Sequence, residues 1–210
     1  MVLRPNAVTG YVVHGLINTA IESFVIGQYG SEAWKQICQR ARLGHDSFES
    51  MMMYEDADTL AVLDAAFVQL GRDRDSLLED LGTWLVTSEA TQPVRRLLRF
   101  GGETFPEFLH SLCELHDRAR LAMPDMSVPV FSVREYTPNT FSIRAIWVLP
   151  GFGALVLGLL RAMADDFGAL VVLSLCETPA EDGEIAVTIS VDMLDSAFAE
   201  GRDFVLGARQ

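Results

Sequence analysis

His116 is the residue whose setting calls for chemistry. It lies within an apolar stripe of Phe108, Leu109, Leu112, Leu115 and Ala119 that recurs at helical spacing over residues 105–121. An imidazole on an apolar face has two readings. It is a core residue satisfied by a backbone carbonyl, or a metal ligand presented to a hydrophobic cavity. The first is the commoner fate of a buried histidine. His110, on the same helix, falls off the stripe and reads as solvated; His45 sits in a polar loop and His14 near the chain start. Cys38, Cys113 and Cys176 are odd in number and widely spaced. They form no CxxC and no zinc-ligand spacing, which points to a reduced compartment. Gly151-Phe-Gly153 lacks the third glycine and the lysine of a phosphate loop, and no serine occupies a G-x-S-x-G elbow. The pair Asp165-Asp166 falls on the polar face of a helix and reads as solvated. Without a catalytic constellation the chain is expected not to be an enzyme, neither hydrolase nor reductase.

The elements that must position these residues follow from periodicity and punctuation. Residues 14–28 read as a helix with Leu16, Ile17, Ala20, Ile21, Phe24 and Val25 at helical spacing. Gly30 ends it, and Ser31 is the expected N-cap of a second helix carrying Trp34, Ile37 and Cys38. Residues 56–69 form a third, stopped at Gly71; residues 76–87 a fourth; residues 92–100 a fifth, ending in Gly101-Gly102. Thr104 caps a long sixth helix to about Leu121, with Pro106 in its first turn. After Pro129 the period changes. Residues 130–133 and 141–148 are rich in β-branched and aromatic residues, separated by Thr137-Pro-Asn139. Residues 151–167 return to helix, and 169–175 and 185–191 read as strands joined by the polar turn 178–183. Helices first, then β-β-α-β-β, predicts an α+β fold: an N-terminal helical lobe packed on a small, mostly antiparallel sheet with an intervening helix. The expected layout is a leader at 1–12, one domain at 13–192 (helical to about 124, sheet from about 125) and a tail at 193–210.

Composition narrows the partners. Half of the 210 residues are hydrophobic, and the mean hydropathy is +0.22. That fits a thick core, an internal pocket or a partner surface. With 16 basic against 29 acidic residues the net charge is −13. No basic excess exists to neutralise phosphates, so no nucleic-acid partner is expected. The one basic cluster, Arg95, Arg96 and Arg99, reads as a solvated helix face. The longest apolar stretch, residues 145–160, holds Pro150 and three glycines, and is shorter than the roughly 20 residues that span a bilayer. No secretory h-region opens the chain, so a cytoplasmic location and no membrane partner are expected.

Five segments, in order, resemble the haem-nitric oxide/oxygen binding (H-NOX) family. His14-Gly-Leu-Ile-Asn-Thr-Ala-Ile-Glu-Ser-Phe-Val is similar to its opening helix, and Tyr29-Gly-Ser-Glu-Ala-Trp34 to the glycine-to-tryptophan segment that follows. Phe105-Pro-Glu-Phe-Leu, continuing to Leu115-His116-Asp-Arg, resembles the helix bearing the proximal histidine. Pro124-Asp-Met-Ser-Val-Pro129-Val-Phe resembles the loop closing beneath the haem. Gly151 with Val156-Leu-Gly-Leu-Leu160 resembles the helix after the central strand. The similarity spans residues 13–192. It implies a bacterial-type gas sensor related to the sensor domain of soluble guanylate cyclase, with haem b as cofactor.

The resemblance makes His116 the proximal iron ligand and lines the haem with Ile17, Leu112, Leu115, Pro129, Trp147 and Leu149. Leu85 and Leu155 flank the gas-binding face and offer no tyrosine to bound oxygen, which implies nitric oxide over oxygen. Nitric oxide would weaken the iron–His116 bond and shift the helical lobe. Partners of stand-alone family members are typically histidine kinases or cyclic-di-nucleotide enzymes. One departure stands out. Family members carry tyrosine, serine and arginine in alternation where this chain has Ala145, Trp147 and Leu149, and only the Trp147 indole keeps a donor. Thr140-Phe-Ser142-Ile-Arg144 imitates the motif five residues early. An odd shift along a strand turns its side chains to the other face unless a bulge intervenes. A degenerate propionate motif leaves an alternative open: a haem-free module that binds another apolar ligand or acts as a regulatory interaction domain.

Overall fold

Glycines and capping side chains end the helices where the backbone must turn. The computed structural model describes residues 12–125, 127–179 and 185–202, in two units, Met1–Asp73 and Arg74–Gln210. Residues 1–11 of the expected leader, Met126, 180–183 of the expected turn with 184 after it, and 203–210 of the expected tail lie outside the described residues.

The first unit opens with β1 (Val12–His14), α1 (Gly15–Tyr29) and α2 (Ser31–Ala41), followed by β2 (Met53–Glu55) and α3 (Asp56–Leu70). β1 and β2 pair antiparallel, Val13 opposite Tyr54. Neither three-residue strand is expected from the sequence, being too short to show a period. His14 is buried and caps α1: its Nδ1 accepts the Leu16 amide at 3.2 Å. Gly15 has no room for a Cβ, which would collide with the Glu49 carbonyl. Gly30 (φ +89) and Gly71 (φ +60) turn the chain out of α1 and α3 as expected. The cap of α2 is Gly30 itself rather than Ser31, which is already helical and bonds no free amide. Inside the unit, buried Thr59 donates its hydroxyl to Asn18 Oδ1 at 2.7 Å, and the Trp34 indole donates to the Asp46 carbonyl at 2.8 Å.

The second unit begins with α4 (Arg74–Thr87), α5 (Gln92–Arg99) and α6 (Phe105–Ser111), then α7 (Leu115–Ala122), β3 (Val130–Thr137) and β4 (Thr140–Trp147). It closes with α8 (Phe152–Phe167), β5 (Leu170–Pro179) and β6 (Ile185–Asp195). The four strands form one antiparallel sheet in the order β3-β4-β6-β5. The α+β architecture expected from the element order is the one observed. Both later strands run longer than periodicity indicated, β6 through Asp195. Strand parity builds the core: Phe141, Ile143 and Ala145 pair with Val191, Ile189 and Val187, and all six are buried. Each large apolar side chain buried this way is worth about 1.5–3 kcal/mol.

Three expectations are corrected in this unit. The long helix over residues 105–121 is broken into α6, a 3-10 turn at Leu112–Glu114, and α7. Thr104 does cap its start, in a reciprocal capping box with Glu107. At the break, the Ser111 hydroxyl bonds back to the Phe108 carbonyl at 2.7 Å, a contact that bends helices. Arg118 Nη2 then takes the Ser111 carbonyl at 2.8 Å. Asp166 is not solvated but 1 % exposed. Its partners are two of the arginines read as a solvated face. Arg95 donates Nε and Nη2 to Oδ1 at 3.0 and 2.8 Å, and Arg99 Nε lies 3.6 Å from Oδ2. Arg99 also stacks over the Phe167 ring, 4.0 Å from its centroid. Burial pushes the Arg99 guanidinium below its ordinary pKa, Asp166 opposes that fall, and Arg95 adds to it.

Candidate functional site

Side-chain contacts tie the helix that carries His116 and the loop that follows it to their surroundings. α7 presents Leu115 and Ala119 to the core on the stripe that includes Phe108, Leu109 and Leu112, all buried. His116 stands at the margin of that stripe, half-buried. Its Nδ1 lies 3.3 Å from the carbonyl oxygen of Val128, in the loop ahead of β3. A carbonyl can only accept, so this contact places the proton on Nδ1. The Nε2 lone pair is then left for a Lewis acid, and among the described residues it has no hydrogen-bond partner. Metal-bound histidines characteristically donate their second ring nitrogen in this way. The two readings of His116 therefore do not exclude each other, since the satisfied carbonyl contact is what prepares the other nitrogen.

Pro129 follows Val128 directly and is half-buried. Neither Ser127 nor Val128 is singled out by sequence reasoning, yet both partner the site. The Trp147 indole donates to the Ser127 hydroxyl at 3.1 Å and stands edge-on to Phe152, with centroids 5.9 Å apart. The hydroxyl of Ser127 and the tether it makes carry no sequence signal, because they depend on where the loop crosses β4.

The departure at residues 145–149 is structural as well as chemical. Ala145 is fully buried between Phe131 and Val187, and Leu149 is 5 % exposed. The single donor of the three, the Trp147 N–H, is already committed to Ser127. The lookalike Ser142 and Arg144 face away: β4 pairs with β6 without interruption from Thr140↔Asp192 to Trp147↔Ile185. No bulge restores the register, and Arg144 is exposed while Ala145 is buried. A half-buried imidazole with Nε2 unengaged among the described residues has the chemistry of an iron ligand, whereas Ala145, Trp147 and Leu149 hold out no free side-chain donor to a carboxylate. An unanswered carboxylate in such surroundings keeps its desolvation cost, where a charged hydrogen bond would contribute about 1.5–3 kcal/mol.

Leu85 on α4 and Leu155 on α8 are both half-buried. Their helices cross at glycines: a Cβ on Gly82 would collide with the Leu155 carbonyl, and one on Gly158 with that of Glu79. The nearby Thr83 hydroxyl is committed to the Gly158 carbonyl at 3.3 Å, and Arg161 of α8 pairs with Glu79 of α4. Ile17 belongs to the first unit, half-buried on α1. Among the described residues no cluster of three or more histidine, cysteine, aspartate or glutamate side chains could hold a metal ion. No described helix is long and apolar enough to cross a membrane.

Known proteins share the sequence pattern and the fold. The haem-NO-binding family model matches residues 14–174. Soluble guanylate cyclase 89Db of Drosophila melanogaster is 23% identical over 161 residues, 75% of this chain and 24% of its own length. Soluble guanylate cyclase gcy-31 of Caenorhabditis elegans is 24% identical over 166 residues, 79% of this chain and 24% of its own. The chain thus matches about a quarter of the length of these cyclases. A Cs H-NOX mutant carrying 4-cyano-L-phenylalanine superposes with a TM-score of 0.74 at 12% identity, covering 90% of this chain and 100% of the other. An oxygen-binding H-NOX domain related to soluble guanylate cyclases, solved as its oxygen complex, gives 0.68 at 12% identity over 90% and 98%. At such identities the superpositions speak for the fold, and the family match over most of the sequence speaks for descent: the chain belongs to the haem-NO-binding (H-NOX) family.

Proposed function

We propose that this chain is a gas-sensor domain in which His116 offers Nε2 to the iron of haem b, sensing nitric oxide and signalling to a separate protein. The observation that supports the reading is the Nδ1 contact to the Val128 carbonyl, which leaves Nε2 as the ring nitrogen with a lone pair to offer. Leu112 and Leu115 back the histidine's helix; Pro129, Trp147 and Leu149 complete the proposed lining. When bound, haem would supply an iron centre that takes up a diatomic gas. The residues proposed to flank that gas, Leu85 and Leu155, are apolar, and the Thr83 hydroxyl is already engaged. Bound oxygen, which gains from a hydrogen-bond donor, is therefore disfavoured against nitric oxide. Displacement of α7 would pull on Val128 and, through Ser127 and Trp147, on β4. Such a displacement would be the second arrangement that a partner reads. A histidine kinase or a cyclic-di-nucleotide enzyme in the cytoplasm suits that role; no catalytic step is assigned to this chain.

A second reading is favoured by the packing of Ala145 and Leu149 and by the Trp147–Ser127 bond: a haem-free module that takes a neutral apolar ligand or regulates a partner by contact alone. Expression with a haem supply separates the two. The sensor reading expects a Soret band near one haem per chain, altered in His116→Ala and restored by imidazole in His116→Gly. Identical spectra for wild type and His116→Ala would remove His116 as the ligand. Protein that stays colourless after haem feeding would establish the second reading. A Soret band that shifts stably on oxygen titration would contradict the gas preference.

A further inference from the structure

β3 is an edge strand of the sheet, and among the described residues no hydrogen bond reaches its outward backbone groups. An open edge of this kind is a template for another extended chain. Its outward side chains are Val130, Ser132, Arg134 and Tyr136, all exposed, with Val130 at 51% and Tyr136 at 58%. Arg134 reaches no acid among the described residues; its recorded contact is with the Tyr136 ring, 5.0 Å from the guanidinium carbon to the centroid.

Arg144 stands on the neighbouring strand. Arg134 faces Ser142 and Arg144 faces Ser132, which makes the two arginines diagonal neighbours, about 7–8 Å apart at Cα. Arg144 also makes no ion pair among the described residues. Two adjacent cations without a counter-charge are conspicuous where acidic residues outnumber basic ones 29 to 16. The rest of that face carries the hydroxyls of Ser132, Ser142, Thr188 and Ser190, and its one acid among these strand positions, Asp192, stands farther along β6, opposite Thr140. The other edge strand, β5, shows Val172, Ser174 and Cys176 outward and no charge.

We propose that the free edge of β3, with Arg134 and Arg144 beside it, docks an extended acidic segment of a partner protein by strand addition. The alternation along β3 specifies the occupant: acidic side chains at the two central outward positions and an apolar side chain at each end, over Val130 and Tyr136. The docking requires no haem and stands independently of the ligand of His116.

The test uses the full chain and a fluorescein-labelled peptide with valine, glutamate, glutamate and valine on one face, threonines between them. Anisotropy at low salt is expected to show binding, weakened at least tenfold in Arg134→Glu/Arg144→Glu. A peptide with lysine in place of glutamate should not bind, and hydrogen exchange should slow on β3. Lys35→Glu/Arg40→Glu, exposed on α2, changes the net charge equally and should bind as wild type. Circular dichroism verifies that each variant is folded. The proposal is overturned if no glutamate peptide binds, if both double variants bind alike, if protection appears on β5, or if an oligonucleotide binds through these arginines while the peptide does not.

Discussion

Replacing Asp166 with alanine removes the carboxylate that two largely buried arginines share. Asp166 is 1 % exposed, and Arg95 and Arg99 are 13% and 12% exposed. Breaking a buried ion pair by deleting one partner costs about 3–5 kcal/mol, because the remaining charge keeps its desolvation penalty. The arginines retain a path to water, so the lower end, ~3 kcal/mol, is expected. Arg99 bears the larger share of the loss, since burial already pulls its pKa down and Asp166 is the group that opposes it. For a domain of this size each kcal/mol moves Tm by about 2–4 °C, which places the loss at about 6–12 °C. Urea denaturation followed by circular dichroism measures the change, with an unaltered m-value to show that both variants unfold from the same state. The neighbouring Asp165→Ala, on an exposed side chain, is the control and should stay within about 0.5 kcal/mol of wild type. A double-mutant cycle of Arg95→Ala with Asp166→Ala should show coupling of about 1.5 kcal/mol or more. A loss below about 1 kcal/mol for Asp166→Ala would refute the reasoning, because the cluster would then behave as a surface ion pair.

Gly158→Ala should lower stability by about 1–3 kcal/mol, since its Cβ meets the backbone of Glu79 rather than a side chain that can move; a melting temperature equal to wild type would contradict the close helix crossing. Cys38 is buried and its pKa is pushed up to about 11, first by burial and then by Glu22 and Asp46. At pH 8 a disulfide reagent should label exposed Cys113 and Cys176 quickly and Cys38 only on unfolding. The Glu22 carboxyl is raised above its ordinary 4.5 mainly by burial, although the Phe48 amide it accepts pulls the other way. The folded chain therefore holds that proton more tightly, and stability attributable to Glu22 falls as pH rises from 4.5 through the raised value. Glu22→Gln keeps an acceptor without the charge, so it should raise the urea midpoint at pH 7 and leave it unchanged near pH 4.

Much of this was readable from residue order, and the reasons are local. Helix ends at Gly30 and Gly71 follow from backbone freedom at positive φ, and the Thr104 cap from the reciprocal side chain three residues on. The alternation of β4 separated Ser142 and Arg144 from Ala145 before any register was known, because a strand's period of two admits one buried face. The match of the chain to its family likewise lay in spaced motifs. The short strands β1 and β2 were not legible, being defined by each other and not by any internal pattern.

What only the tertiary structure decided are the pairings made across distance. Sequence placed His116 on an apolar stripe, but the tautomer of its ring depends on a carbonyl 12 residues away. Asp165 and Asp166 look alike in the sequence; the helix rotation that turns the second toward α5 makes it a buried ion. Arg118 takes the Ser111 carbonyl at the break before α7, and the last donor at the strand end is taken by Ser127. Periodicity reports which face of an element is apolar. It carries no information about which polar atom from another element will meet a group on that face, and that meeting determines whether the group is an ion, a ligand or a tether.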